Sequence, residues 1–556
     1  MVKITFVEKG IVAEVPAGTT ILAAARKVGV MIESPCSAEG TCGKCKVRVS
    51  PRQLACLQQA GDHQLSQEEA ATGLVLACQA KAIGDVAVEE IANNQNKTLK
   101  ILDHGESFVI QINSFITKEY DGRAKTIVYA GGRVIGEEAG DTAGLNYGVV
   151  VDIGTTTVVA SLVDIATGHE LAAVAALNPQ SLQAQDVLSR IKFASGEQGL
   201  KKMYGDIIRE INRMVAELAQ QTGVRPENIY EVIFSGNTCM LHLAANVNPY
   251  SLGKYPYEPQ IRGGSHLSAV THRLNISRFG LIYLPPIISA YVGPDITSGV
   301  LASRLQDRQG VTLFVDIGTN GEMVISADGR LSATSTAAGP AFEGMNITHG
   351  MRAANGAIEL FDIEADGSIT VKTIGEAKPV GICGSGLLDI VGELVAHQVI
   401  GKNGKFVNPE TAALQPELKQ RLVRQDGKLV FKVAEGVFLT QKDVRQVQLA
   451  KGAVRSGIEF LLKSKGVQAG QVDKVLIAGS FGYHLRAKSL INIGLLPEAF
   501  DGKIDFIGNT SKSGGRAFLL NTAYRREMEA LVGGIEEVEL ANHEDFDKVF
   551  VACLGF

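Results

Sequence analysis

The chain has 556 residues, 45% hydrophobic and 20% charged, an ordinary soluble-globular composition that excludes wholesale disorder. With 54 Lys+Arg against 59 Asp+Glu its net charge is −5, so it has no global attraction for nucleic acid, and no nucleic-acid partner is expected. The opening Met1-Val-Lys-Ile-Thr-Phe lacks a basic stretch before a long apolar core, and no apolar run reaches about 18 residues. Neither a secretory signal nor a membrane partner is expected, and the location expected is cytoplasmic. At roughly 150 residues per domain, about three or four domains are anticipated.

Five of the eight cysteines fall in the first 78 residues, which suggests a metal site rather than a disulfide framework. Cys36, Cys42 and Cys45 are spaced C-x5-C-x2-C, and Cys78 follows 33 positions later. Thiolates are soft ligands, and a loop containing Gly40 and Gly43 can wrap a compact cluster with backbone N–H groups aimed at sulfur. A zinc ribbon would show two C-x2-C knuckles, and only one is present. Around the cysteines, Ile4-Thr-Phe-Val and Ile11-Val-Ala-Glu-Val make a hairpin about Lys9-Gly10, and Thr20 to Val28 makes a short helix. Residues 1–90 thus resemble a β-grasp [2Fe–2S] ferredoxin of adrenodoxin-like spacing, with the four cysteines as ligands and Cys56 a bystander. Residues 91–145 read as a polar, Asn-rich linker and a small β connector with a turn at Asp121-Gly122.

Two later segments repeat each other. Val149-Val-Val-Asp-Ile-Gly-Thr-Thr-Thr and Leu313-Phe-Val-Asp-Ile-Gly-Thr-Asn-Gly each run from an apolar strand through a tight turn into a second strand, with Asp152 and Asp316 164 residues apart. Glycines and hydroxyls at such a turn suit nucleotide phosphates, and an Asp at a strand end can hold hydrated Mg²⁺ or orient an attacking water. There is no G-x4-G-K-[ST] P-loop. Lys474-Val-Leu-Ile-Ala-Gly-Ser-Phe-Gly supplies a third strand and glycine turn, able to approach an adenosine. Gly381-Ile-Cys-Gly-Ser-Gly-Leu-Leu has the small-residue texture of a helix packed tightly between two lobes. Thr440 to Asp443 resembles a capping box before an apolar helical stripe ending at Gly466.

Together these motifs resemble the actin/sugar-kinase/Hsp70 ATPase superfamily, and the fold expected over residues 146–556 is a two-lobed α/β domain, with lobes of about 146–310 and 311–556. The resemblance implies a first phosphate loop of Asp152, Gly154, Thr155 and Thr156. It implies a second of Asp316, Gly318, Thr319, Asn320 and Gly321, and an adenosine loop of Gly479, Ser480 and Gly482. Asp152 and Asp316 are the candidate catalytic residues, for Mg²⁺ and water positioning.

A [2Fe–2S] ferredoxin fused to such an ATPase resembles the ATP-dependent reductive activators of corrinoid proteins found with anaerobic methyltransferase systems. Asn178-Pro-Gln-Ser-Leu-Gln-Ala-Gln-Asp-Val-Leu-Ser-Arg-Ile, Gly236-Asn-Thr, Val292-Gly-Pro-Asp295, Ala338 to Gly344 and Gln448-Leu-Ala-Lys451 carry the likeness, with Ala184-Gln185 departing from a more usual Gly-Ala. The implied activity is reduction of inactive Co(II) to Co(I), with a corrinoid protein and an external low-potential donor as partners, a [2Fe–2S] cluster, ATP and Mg²⁺ as cofactors, and a homodimer. Ser335 and Thr336 form a hydroxyl-bearing stretch that reads as a solvated turn or, alternatively, as a face toward the partner's cobalt. The alternatives are an ATP-driven donor to another low-potential metalloenzyme and a nucleotide-regulated iron–sulfur binding module without turnover.

Overall fold

The computed structural model describes residues 1–30, 32, 38, 43, 45–59, 65, 67–90, 110–479 and 485–556. Among the described residues, no helix is long and apolar enough to cross a membrane.

The N-terminal chain folds as the ferredoxin pattern anticipates. Val2–Phe6 pairs antiparallel with Ile11–Val15, the turn passing through Gly10 at φ +62°. Val2–Phe6 also pairs in parallel with Val86–Glu90, and Lys46–Val49 and Leu74–Leu76 complete a five-stranded mixed sheet. The helix Ile21–Lys27 begins where the Thr20 side chain accepts the Ala23 amide, which supplies one of the N-terminal donors with a partner. Its Ile21, Leu22, Ala24 and Ala25 are buried against the sheet. The connector forms three antiparallel strands, Ile116–Tyr120, Lys125–Ala130 and Arg133–Ala139. Its turn is held by Asp121 Oδ1, which accepts the amides of Arg123, Ala124 and Lys125 at 2.7, 2.9 and 3.1 Å.

The two repeated motifs head two sheets of matching topology. In the first lobe β1 (Tyr147–Ile153) pairs antiparallel with β2 (Thr157–Asp164) and parallel with β3 (Ile229–Gly236). In the second, β4 (Val311–Ile317) pairs antiparallel with β5 (Gly321–Ala327) and parallel with β6 (Lys474–Ala478). Each hairpin gains an outer antiparallel strand, Glu170–Leu177 or Arg330–Thr336, and each parallel strand a parallel neighbour, Leu281–Leu284 or Ile504–Gly508.

Because strand side chains alternate, each sheet has two apolar faces to cover. In the first lobe, Val149, Val151 and Ile153 of β1 meet the helices α1 (Val187–Ala194) and α2 (Glu197–Thr222). Val150 faces the other way, into a core shared with Phe314 and Val324 of the second lobe. That shared layer holds α3 (Pro294–Ala302) and, from far along the chain, α6 (Thr510–Leu520). The outer face of the second sheet is covered by α4 (Gly384–Ala396) and α5 (Gln441–Ser464). The result is five layers, helix–sheet–helix–sheet–helix. The capping box on Thr440 and Asp443 is present, and α5 stops short of Gly466 at φ +64°. The Gly-Ser-Gly helix α4 packs tightly, but inside the second lobe rather than between lobes: a Cβ on Gly386 would lie 2.1 Å from the Ile358 carbonyl oxygen.

The α3–α6 crossing is closer still in its consequences, since it joins the lobes. A Cβ on Gly514 would fall 2.1 Å from the Ser298 carbonyl oxygen, and one on Gly299 2.5 Å from the Phe314 ring. Gly514→Val therefore has no space without parting the helices, and the expected cost is about 3 kcal/mol or more. Urea unfolding that left the midpoint of this variant at the wild-type value would contradict the packing described.

Candidate functional site: a carboxylate-lined cleft and a thiol pair

Both Asp-Ile-Gly-Thr motifs end at the same edge of the five-layer body. Asp152 lies opposite Val159 in β2 and Ser235 in β3, while Asp316 lies opposite Glu322 in β5 and Ala478 in β6. The residues after the parallel partners are Gly236 and Gly479, at φ +143° and +129°. A Cβ on either would lie within 2.6 Å of the preceding motif's Ile carbonyl oxygen (Ile153 or Ile317), so both turns require glycine. Ser480 and Gly482 lie outside the described residues.

The two loops face each other directly. Thr156 Oγ1 and Thr319 Oγ1 are 3.5 Å apart, and Thr319 Oγ1 also donates to Glu343. The first loop is braced from behind. Asn178 Nδ2 donates to the Gly154 carbonyl at 2.8 Å, and Asn237 Nδ2 to Thr155 Oγ1 at 3.1 Å. Arg190, fully buried on α1, donates to the Thr155 carbonyl at 2.5 Å and to Gln180 Oε1 at 3.2 Å. Burial without an acidic hydrogen-bond partner pulls this guanidinium down to about 10. The Asn178-to-Ile191 and Gly236-Asn-Thr motifs are thus the scaffold of the turn at Gly154 and Thr155.

Asp152 is held at both oxygens, by Asn509 Nδ2 at 2.9 Å and Ser511 Oγ at 2.8 Å, from the N-terminal end of α6. Ser511 Oγ lies 2.9 Å from Ser235 Oγ, which lies 3.0 Å from Ser298 Oγ, a hydroxyl seam under the cleft. Burial raises the pKa of Asp152, the hydrogen bonds opposing it. Burial and then the charge of Asp152 push Asp316 up to about 7. Asp295, at the start of α3, is pushed up to about 8 by burial and then by Asp316 and Asp152. Glu322 is raised well above the usual range by burial, Asp295 and Asp316. Its Oε1 is buried and, among the described residues, has no hydrogen-bond partner.

Such a cluster suits a bound cation, whose charge would reverse every one of these shifts. No group of three His, Cys, Asp or Glu among the described residues converges on one metal position, so the carboxylates surround a space rather than form a ready cage. Asp295 and Glu322 escape motif analysis as site residues because their membership depends on α3 and β5 meeting β4. Ser335 is half-buried, and Thr336 is buried, donating to the Gly321 carbonyl at 3.1 Å. The Thr336 hydroxyl therefore braces the turn after the second Asp-Ile-Gly-Thr motif from within the lobe.

In the ferredoxin domain, Cys45 and Cys78 are buried with sulfurs 3.2 Å apart, close enough to share one metal ion. Gly43 has φ +68°, and Gln79 Nε2 approaches Cys78 Sγ at 3.8 Å. Cys36 and Cys42 lie outside the described residues. The soft donors that are described fit an iron–sulfur group.

Fold and site define an iron–sulfur protein with an actin-type nucleotide cleft. Residues 4–82 match the 2Fe-2S iron–sulfur cluster binding domain, 147–308 the RACo middle region, and 310–556 the C-terminal domain of RACo, the ASKHA domain. The chain is 33% identical over 414 residues to the corrinoid activation enzyme RamQ of Eubacterium limosum, covering 73% of this chain and 69% of that protein. It is 26% identical over 434 residues to the [Co(II) methylated amine-specific corrinoid protein] reductase of Methanosarcina barkeri, covering 74% and 77%. A solved structure described as a reductive activator for corrinoid, iron–sulfur protein matches 100% of this chain and 98% of its own, with a TM-score of 0.74 and 28% identity. The chain belongs to the RACo family.

The raised carboxylates make the nucleotide-free folded protein hold protons that the unfolded chain has released. Their contribution to stability is complete below about pH 4. It is lost as pH rises through about 7 and about 8, the values of Asp316 and Asp295. Thermal midpoints measured without nucleotide are therefore expected to fall from pH 6 to pH 9, with a shallower slope in Asp295→Asn. Equal slopes for variant and wild type would remove the electrostatic account.

Proposed function

We propose that this protein uses ATP to return a corrinoid protein from inactive Co(II) to Co(I), the electron entering from an external low-potential donor. The observation that carries the proposal is one chain holding both a buried thiol pair and two phosphate loops whose threonines meet across a carboxylate cluster. Two proteins similar to this chain over 73% and 74% of its length are named a corrinoid activation enzyme and a Co(II) corrinoid protein reductase.

Residues of the chain divide the work. Backbone N–H groups around Gly154, Thr155 and Thr156 and around Gly318, Thr319 and Asn320 bind phosphate oxygens from the two lobes. Asp152, fixed by Asn509 and Ser511, and Asp316 orient the water shell of Mg²⁺. Asp295 Oδ1 takes the Ile296 amide at 2.9 Å, which leaves its other oxygen to accept a proton from the attacking water. Gly479, Ser480 and Gly482 face the adenosine. Cys36, Cys42, Cys45 and Cys78 hold the [2Fe–2S] cluster, which when bound supplies one-electron transfer. The protein acts in the cytoplasm as a homodimer.

ATP is needed because the step is uphill. For one electron, about 59 mV of unfavourable gap corresponds to about 1.4 kcal/mol. Nucleotide can supply it only if the lobe arrangements with and without ATP bind the Co(II) and Co(I) partners differently. The lobes are linked by the α3–α6 layer and by the phosphate loops, so a change at the γ-phosphate is felt by both.

Visible spectra of a corrinoid protein incubated with this protein and a chemical reductant provide the test. Co(I) is expected to accumulate only with ATP. Asp316→Asn should slow it by about 100-fold or more. Cys78→Ser should abolish it while leaving ADP affinity unchanged. Co(I) formation at the same rate without ATP would end the coupling proposal.

A further inference from the structure

The second lobe contains a separate cavity of about 570 Å³ that shares no lining residue with either phosphate loop or with the described part of the adenosine loop. One wall is α5, which presents Lys451, Arg455, Glu459 and Lys463 at four-residue spacing along a single face. The other wall is the C-terminal helix Phe546–Ala552 and the residues after it, contributing Val549, Ala552 and Phe556. Phe460 closes one end.

The charges lining this cavity are unbalanced at one position. Arg455 donates to Glu459 Oε1 at 2.7 Å, and Lys463 pairs with Asp545 at 2.9 Å. Lys451 is 1% exposed, and among the described residues no carboxylate lies within ion-pair distance of it. Its Nζ donates to the Gly555 carbonyl and sits 5.5 Å from the Phe556 ring centroid. Burial pulls this ammonium down to about 8, so it is still mostly charged at neutral pH. A buried charge of this kind is costly unless something neutralises it, and here it lies beside a cavity with one charged wall, on α5, and one largely apolar wall, at the C-terminal helix.

We propose that this cavity binds a small organic anion, its carboxylate or other anionic head on Lys451 Nζ and its apolar body between Phe460, Val549 and Phe556. The site is distinct from the nucleotide cleft and takes a ligand that the cleft chemistry does not call for. A purely apolar ligand would leave the ammonium unpaired, and a bare inorganic anion would leave the aromatic walls uncovered.

Calorimetry on the full-length protein tests the assignment, with 4-phenylbutyrate as probe and the neutral 4-phenylbutyramide as its isostere. One phenylbutyrate per chain is expected, with the amide and the Lys451→Met variant each binding about 10- to 100-fold more weakly. Ala552, exposed at the rim, allows a second variant: Ala552→Trp fills the mouth and should abolish binding. Retained ADP binding certifies that each variant is folded, and Ala552→Trp decides if Lys451→Met does not fold. Equal affinity for acid and amide, wild-type affinity in a folded variant, or no binding of phenylbutyrate at about 10 mM would each overturn the proposal.

Discussion

Like charges placed together in a water-poor cleft are the constraint on which the rest of the ATPase domain depends. Asp152, Asp295, Asp316 and Glu322 are brought together at the ends of strands and a helix N-terminus, where Asp152 raises the proton affinity of Asp316 and Asp295, and Asp316 and Asp295 raise that of Glu322. A protein cannot hold four anions in such a place without donors, protons or a cation. Asp152 receives side-chain donors at both oxygens from Asn509 and Ser511, Asp295 receives the Ile296 amide at one oxygen, and the raised pKa values of Asp295 and Asp316 show that such donors do not offset the crowding. A cluster of this kind is one that a bound cation would stabilise, since a positive charge beside these carboxylates favours their ionised forms.

The architecture that creates this cluster is a duplicated unit. Each copy offers a hairpin, a parallel strand with a positive-φ glycine after it, and a helix that dives between the sheets. Because α3 and α6 cross with almost no space at Gly299 and Gly514, the lobes share one central layer rather than a flexible tether. The hydroxyl seam of Ser235, Ser298 and Ser511 runs from that layer to Asp152. The carboxylate at the end of the first motif is thereby tied to the packing of the helices that join the lobes.

Some of this is legible residue by residue. Strand alternation around Val149 to Val151, the cap at Thr440-Asp443 and the Asp121-Gly122 turn are local patterns, and local patterns specify local structure. The Asn178-to-Ile191 motif could be recognised as text, but its purpose was not: Arg190 reaches the Thr155 carbonyl across 35 residues of sequence, a contact that no spacing rule encodes. Where the Thr336 hydroxyl points was illegible for the same reason, since only its packing beneath Gly321 shows the contact it makes. The connector, whose role had no sequence signature, is seated on the first lobe through Lys118, Glu138 and the buried Tyr230.

The amino-acid sequence by itself determined the division of labour: four spaced cysteines, two Asp-Ile-Gly-Thr turns and a glycine turn after a third strand state which chemistry is present, because each is a short stretch whose backbone and ligand atoms are contiguous. Tertiary structure alone decided how these parts act on one another. The partnership of Asp295 and Glu322 with the two motif aspartates, the Thr156–Thr319 contact and the buried Lys451 ammonium on the Gly555 carbonyl beside its cavity all depend on electrostatic and steric terms between residues far apart in the chain. Those terms fall off over a few ångströms and exist only once the layers have packed.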